Sequence, residues 1–287
     1  MRALDRPIVG PRKTQETMNQ DTSDGSSDVQ PPALAVPAAD QLLPDDVTEE
    51  ELMNSGHELH DSYTCPLCCL PIALPTEKHS AMIPCCMKRV CRGCVVASKK
   101  RGMGGTCPFC RTPTPKRTAV TALIQKRVDA KDPAATECLA SAYYHGDHGL
   151  QQDIPRAIEL WTEAAHLGDL DAHNNLGTIY FNGNVVDQDV AKAIRHFQHA
   201  AIQGHPSSRY MLGVYEGRSE NHETAFQHLI ISAKMGDSDS LNAIKNIFLN
   251  GLATKVQYAE ALRGYQNASE GTKSSQREEA KTFFRQK

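Results

Sequence analysis

In the second half of the chain, apolar and small residues return at every third or fourth position. Ala157, Ile158 and Trp161 are followed by Ala164 and Ala165, the stripe of a helix with one buried face. The phrase recurs as Ala193-Ile-Arg-His-Phe197, Ala225-Phe-Gln-His-Leu229 and Ala261-Leu-Arg-Gly-Tyr265. A second phrase precedes each copy: Leu139 to Gly146, Leu176 to Gly183, Leu212 to Gly217 and the worn Ile244 to Gly251. Gly168, Gly204, Gly236 and Gly271 close the four copies.

This pattern predicts helix–turn–helix repeats over 132–271. The mid-repeat glycines Gly146, Gly183, Gly217 and Gly251 end each first helix, and the closing glycines end each second helix as left-handed caps. Asp132, Asp169 and Asp237 stand where a short carboxylate caps the next helix. Gly177 and Gly213 let paired helices approach closely. One pair cannot bury its own apolar face, whereas four stacked pairs can. The expected fold class is mainly α: a helical solenoid, preceded by a small cysteine-rich module and a disordered N-terminus.

Upstream the pattern breaks down. Residues 1–60 are rich in Asp, Ser, Gln, Pro and Thr with no sustained period, a composition that cannot offset ordering entropy. They read as a disordered acidic arm, with Asp45 to Leu59 open to a short acidic helix or a solvated linker. Residues 118–131 predict a basic linker helix and 272–287 a charged tail.

Charge sharpens these boundaries. The 287 residues carry a net charge of −3, but the sum is a cancellation. Residues 1–60 hold net −8, 61–131 net +10, 132–271 net −8 and 272–287 net +3. Opposite charges on the second and third segments permit them to dock. No apolar run reaches the ~18 residues of a membrane span, and no secretory pattern opens the chain. An intracellular setting, cytoplasmic or nuclear, is expected.

Of ten cysteines, nine lie between Cys65 and Cys110. Cys65-Pro-Leu-Cys68, Cys85-Cys86, Cys91-Arg-Gly-Cys94 and Cys107-Pro-Phe-Cys110 make four pairs within 61–117. A CxxC turn presents two thiolates to one tetrahedral ion, so four pairs imply two Zn2+ ions. Disulfides suit a secreted chain instead. A redox CxxC needs one motif in an α/β fold rather than three in a small loop-rich module.

This segment resembles a RING finger. The resemblance implies cross-bracing: Cys65, Cys68, Cys91 and Cys94 on one zinc, and Cys85, Cys86, Cys107 and Cys110 on the other. It further implies that a ubiquitin-conjugating enzyme meets Leu67 and Pro108, and that Arg111 is the linchpin cation bridging that enzyme and ubiquitin. Two positions depart from the family. Lys88 stands at the usual histidine position, and the adjacent Cys85 and Cys86 are closer to the all-cysteine RING of the deadenylase-complex ligases, without its intervening residue. Adjacent thiolates share a metal only with local strain, which leaves open a second site with three sulfurs, distorted or empty, with His79 in reserve. Ser98 replaces the apolar residue that the family often has, and Lys99, Lys100 and Arg101 follow it. Cys69 is read as a bystander and Cys138 as packed in the first repeat.

The repeats resemble Sel1-like repeats, ALGxxYxxG followed by KAxxxWxxAAxxG, relatives of tetratricopeptide repeats. That implies a surface recruiting a protein substrate or adaptor. The histidines of the repeats, His173, His196 and His199 among them, lack a recurring acidic or Cys partner and read as packing or surface groups. Tyr143, Trp161, Tyr180 and Phe197 read as core. Near-absence of aromatic residues in the basic module, Tyr63 and Phe109 aside, argues against a nucleic-acid surface. Two functions follow: a RING-type ubiquitin ligase with no covalent intermediate on this chain, or a non-enzymatic zinc-binding scaffold.

Overall fold

The computed structural model describes residues 47–116 and 119–285. The disorder expected for 1–46 lies outside the described residues. α1 (Glu49–Asn54) leads to a 3-10 turn at Asp61–Tyr63, then α2 (Thr76–His79), β1 (Ser80–Ile83), β2 (Lys88–Cys91) and α3 (Arg92–Ser98). β1 and β2 are an antiparallel hairpin, registered from Ser80↔Cys91 to Ile83↔Lys88. After α4 (Val120–Asp129) come four helix pairs: α5 (Pro133–His145) with α6 (Ile154–His166), α7 (Leu170–Asn182) with α8 (Val190–Ile202), α9 (Pro206–Arg218) with α10 (His222–Lys234), and α11 (Ser238–Leu249) with α12 (Lys255–Gly271). α13 (Ser275–Arg285) ends the described chain. The fold is mainly α and its centre is a helical solenoid, as the periodicity predicts.

The three expected aspartate caps are present. Asp132, Asp169 and Asp237 accept from the N–H groups of Ala135, Ala172 and Ser240. Asp153 and Asp189 do the same for α6 and α8. In the third repeat the role passes to an imidazole: His205 Nδ1 accepts from Ser208 N–H at 3.0 Å. Two glycines behave otherwise than expected. Gly217 lies within α9, which ends one residue later at Arg218, and the left-handed residue of the turn is Glu220 at φ 63°. Gly271 is the last helical residue of α12, because the chain turns there towards α13 rather than into another repeat.

One core runs from α4 to α9, with Trp161, Leu176, Tyr180 and Phe197 buried in it and Tyr143 packed on its edge. A Cβ at Gly177 would sit 2.6 Å from Phe197 Cε1, so α7 and α8 touch only because that position has no side chain. α4 is the first layer of this core rather than a free linker, since Ile124 and Val128 are buried there. A second core joins α10, α11 and α12.

The upstream segment is built into the solenoid. Leu52 of α1 and Met87 of the hairpin loop enter the main core. Arg209 of α9 is wholly buried and donates to Leu52 O (2.6 Å), Ser55 O (2.6 Å) and Ala201 O (3.1 Å). The disorder expected up to residue 60 is therefore not found in residues 47–60. Residues 47–60 are held by backbone carbonyls, which composition does not reveal. The expected tail is likewise a helix: α13 buries Ala280 and packs on α3.

Candidate metal centre

The first and last cysteine pairs adopt the same knuckle. Cys65 N–H donates to Leu70 O (3.0 Å) and Cys69 N–H to Cys65 O (2.8 Å), beside a bridge between Thr64 and Pro71. Position for position, Cys107 N–H donates to Thr112 O (2.8 Å) and Arg111 N–H to Cys107 O (3.1 Å), beside a bridge between Thr106 and Pro113. The residue after each knuckle is left-handed, Cys69 at φ 54° and Arg111 at φ 62°.

The other two pairs come from the hairpin. Cys91 ends β2 and caps α3, its Sγ accepting from Cys94 N–H at 3.4 Å. Cys85 and Cys86 occupy the hairpin loop, where Cys86 N–H closes a turn onto Ile83 O at 3.1 Å and Met87 leaves it at φ 47°. In such a turn neighbouring side chains no longer alternate, so both adjacent thiols reach one place. The Sγ atoms of Cys65, Cys68, Cys91 and Cys94 all lie within 4.8 Å of one another, and so do those of Cys85, Cys86, Cys107 and Cys110.

Sulfurs about 2.3 Å from a tetrahedral zinc stand about 3.8 Å apart. Cys68–Cys91 and Cys86–Cys107 are 3.8 Å apart, and Cys85–Cys110 3.5 Å. The spacing and the all-sulfur donor set fit zinc. Without a cation the thiols of each cluster drive one another apart. A hydrogen bond with Cys91 holds Cys65 down at about 4, while the same bond and burial push Cys91 far up. Thr112 holds Cys110 at about 6, while burial pushes Cys86 to about 11. The first cluster is interior, with Cys65 and Cys91 buried. The second is superficial, with Cys110 exposed.

The remaining candidates fall around these clusters. Leu67 is exposed on the first knuckle, and Pro108 half-buried on the last. Arg111 is exposed, one guanidinium nitrogen 3.6 Å from Met103 Sδ. Lys88 lies over the Phe109 ring, 5.4 Å from its centre, rather than towards a metal. His79 and Cys69 belong to neither cluster. Cys138 is half-buried in α5, its thiol pushed up to about 11 by burial.

Of the residues that fix the module to its surroundings, sequence reasoning named only Tyr63, and in another role. Arg89 of β2 donates to Thr76 Oγ1 (3.1 Å) and to Asp171 Oδ2 of α7 (2.9 Å). Because His205 Nδ1 accepts a cap hydrogen bond, its proton sits on Nε2, which donates to Asp171 Oδ1 at 3.2 Å. Burial alone would raise the Asp171 pKa, but the His205 bond and the Arg89 charge hold it well below the carboxylate range. Tyr63 sets its ring edgewise on His205, 6.0 Å between centres. From α13, Arg277 reaches Cys68 Sγ at 3.4 Å. Net charge by segment was the only sequence signal for such docking.

No helix among the described residues is long and apolar enough to cross a membrane. The chain is 26% identical over 132 residues to the DNA repair protein RAD5A of Arabidopsis thaliana; the match takes in 44% of this chain and 13% of that protein's length. Among solved structures, a Sel1 repeat protein from Oxalobacter formigenes is 26% identical, covering 45% of this chain and 98% of its own at a TM-score of 0.41. The protective antigen c5321 of uropathogenic Escherichia coli, which displays an SLR fold, is 21% identical, covering 61% and 40% at a TM-score of 0.48. Residues 139–169, 170–205 and 206–237 each match the Sel1 repeat model, so the first three helix pairs of the solenoid are Sel1 repeats and the fourth continues their architecture beyond the matched residues.

Proposed function

We propose that each cysteine cluster holds one structural zinc ion, and that the module so folded docks a ubiquitin-conjugating enzyme, making the chain a RING-type ubiquitin ligase. Zinc would supply tetrahedral crosslinks, roughly 10–16 kcal/mol apiece in small model domains. The chain's own residues do the rest by positioning. Leu67 and Pro108 offer apolar contact from the two knuckles, and Arg111 offers a rigid fork of donors just after the last cysteine.

The observation that carries this reading is the cross-brace: first pair with third, second with fourth, on two like knuckles. Sel1 repeats support a role in protein interaction. The first helices of the repeats already hold the chain's own upstream parts, Asp171 through Arg89 of the hairpin and Arg209 through Leu52 of α1, so recruitment of a substrate falls to the remaining surfaces of the solenoid.

Autoubiquitination with zinc-loaded chain and a panel of conjugating enzymes tests the proposal. Transfer with at least one enzyme supports it; none across the panel, with two zinc ions bound, sinks it. A second reading, a non-enzymatic scaffold, is favoured by Ser98 and the basic turn Lys99–Met103 that ends α3 where an apolar contact would serve. Stable partners recovered without any conjugating enzyme would favour the scaffold.

A further inference from the structure

The two cysteine clusters differ in what surrounds them. Four thiolates around one Zn2+ leave a net charge of −2, which an interior site must have compensated. Around the first cluster the compensation comes from far along the chain. Arg277 on α13 donates through Nη2 to Cys68 Sγ (3.4 Å) and Leu70 O (3.0 Å), and through Nη1 to Thr272 O (2.7 Å) and Pro71 O. Leu70 O is also the acceptor that closes the first knuckle onto Cys65 N–H. One guanidinium thus meets both a metal-facing sulfur and the backbone that shapes its loop. Beside it, Gln276 Oε1 lies 4.0 Å from Cys94 Sγ as an acceptor and adds no positive charge.

The rest of α13 is seated to hold that guanidinium in place. Lys100 pairs with Glu279, and Arg92 lies over the Phe284 ring, 5.0 Å from its centre. Position 93 has no side chain where the helices cross; a Cβ there would stand 2.9 Å from both Arg277 Cγ and Arg277 N. Among the described residues no guanidinium or ammonium donates to a sulfur of the second cluster. Its described donors to sulfur are neutral: Phe109 N–H to Cys107 Sγ at 3.4 Å and the Thr112 hydroxyl at Cys110 Sγ, 3.0 Å.

We infer that the C-terminal helix is the outer wall of the first metal site, with Arg277 as a positioning residue that neutralises and locks it. The first site then retains zinc and the second exchanges it. This rests on the zinc reading above. Outer-shell partners of metal ligands are typically worth roughly 10–100-fold in metal affinity.

The test uses the full chain. Zinc content is measured first; release to a chromogenic chelator is then followed while N-ethylmaleimide marks freed thiols for mass spectrometry. The wild type is expected to carry two zinc ions and lose them in two phases, with Cys85, Cys86, Cys107 and Cys110 labelled before Cys65, Cys68, Cys91 and Cys94. Arg277→Ala should accelerate the slow phase at least tenfold and leave the fast phase unchanged, with Arg277→Lys between them. Gly93→Ala, which displaces α13 without altering Arg277, should reproduce the effect. Two zinc ions released with unchanged phases in both Arg277→Ala and Gly93→Ala would overturn the inference and leave the zinc reading intact. A wild-type chain that binds no zinc overturns the zinc reading, and this inference with it.

Discussion

Arg89 and Asp171 meet at 2.9 Å between the cysteine-bearing hairpin and the second repeat, and His205 holds the other carboxylate oxygen. The carboxylate is shared by a strand of one module and the cap residue of the next repeat. Asp171→Asn should weaken the whole assembly, because it leaves the largely enclosed Arg89 without its counter-charge. A loss of about 1–3 kcal/mol is expected. The Arg89→Met/Asp171→Asn double variant should lose less than the two singles together. Urea unfolding followed by Trp161 fluorescence reads this, since the chain has one tryptophan and it lies in the main core.

The histidines of the second repeat make acid destabilising. His173 Nδ1 and His196 Nδ1 are 3.0 Å apart and buried, and burial lowers the two to about 2 and about 3. Both stay neutral when folded and take up protons when unfolded. Their stabilisation is full above the ordinary histidine value and is lost as the pH falls from about 6.5 towards 3. Thermal melts between pH 7.5 and 4.5 should show the Tm of His196→Phe rising relative to that of the wild type as the pH falls, the buried carboxyl groups being common to both.

On the alkaline side the sign reverses. Burial raises Glu137 to about 7 and Asp169 to about 8. A carboxyl raised in the folded state stabilises fully below its unfolded value, and that contribution drains away as the pH climbs through 7 to 8. Glu137→Gln keeps an acceptor for Ser141 and Asn175 and removes the ionisation. Its Tm should depend less on pH between 6 and 9 than the wild type's.

Metal analysis resolves the adjacent cysteines. Both Cys85 and Cys86 lie in the second cluster, so Cys85→Ser and Cys86→Ser should each cut zinc from two ions to one. Cys69→Ser should leave two. A Cys86→Ser chain that still binds two would make Cys86 a spectator.

The linchpin assignment has a clean probe in the backbone. Arg111 sits at φ 62°, where Ala is as strained as Arg and Gly is free of the penalty. Arg111→Gly should keep two zinc ions yet lower ubiquitin transfer about tenfold or more. Leu67→Ala, at an exposed position, should do likewise. Unchanged transfer in both would remove these residues from the proposed interface.

The solenoid was legible because it is periodic. The stripe from Ala157 to Ala165 and the caps Asp132, Asp169 and Asp237 are local signals, and a helix answers to neighbours three and four positions away. The cysteine pairs were legible for the same reason, although spacing alone could not say that the turn at Pro84 would aim Cys85 and Cys86 together. The docking of the parts was not legible. Arg209 and Arg277 bind backbone carbonyls, and every residue has a carbonyl, so no side-chain pattern marks the place they grip. Gly217 marked the end of its helix to within one residue, but the left-handed turn falls on Glu220 instead.

Those two arginines set the order in which the molecule can assemble. Arg209 grips Leu52 from 157 positions downstream, and Arg277 grips Leu70 from 207. Contacts so remote pay loop-closure entropy before they return anything, whereas each helix pair closes locally. The repeats therefore gain their shape first, and the earliest-synthesised part of the described chain is the last to be secured. Until α13 has been made and folded back, the first knuckle lacks its contacts with Arg277, so a chain truncated before α13 is expected to leave an intact solenoid with loose cysteines at its flank.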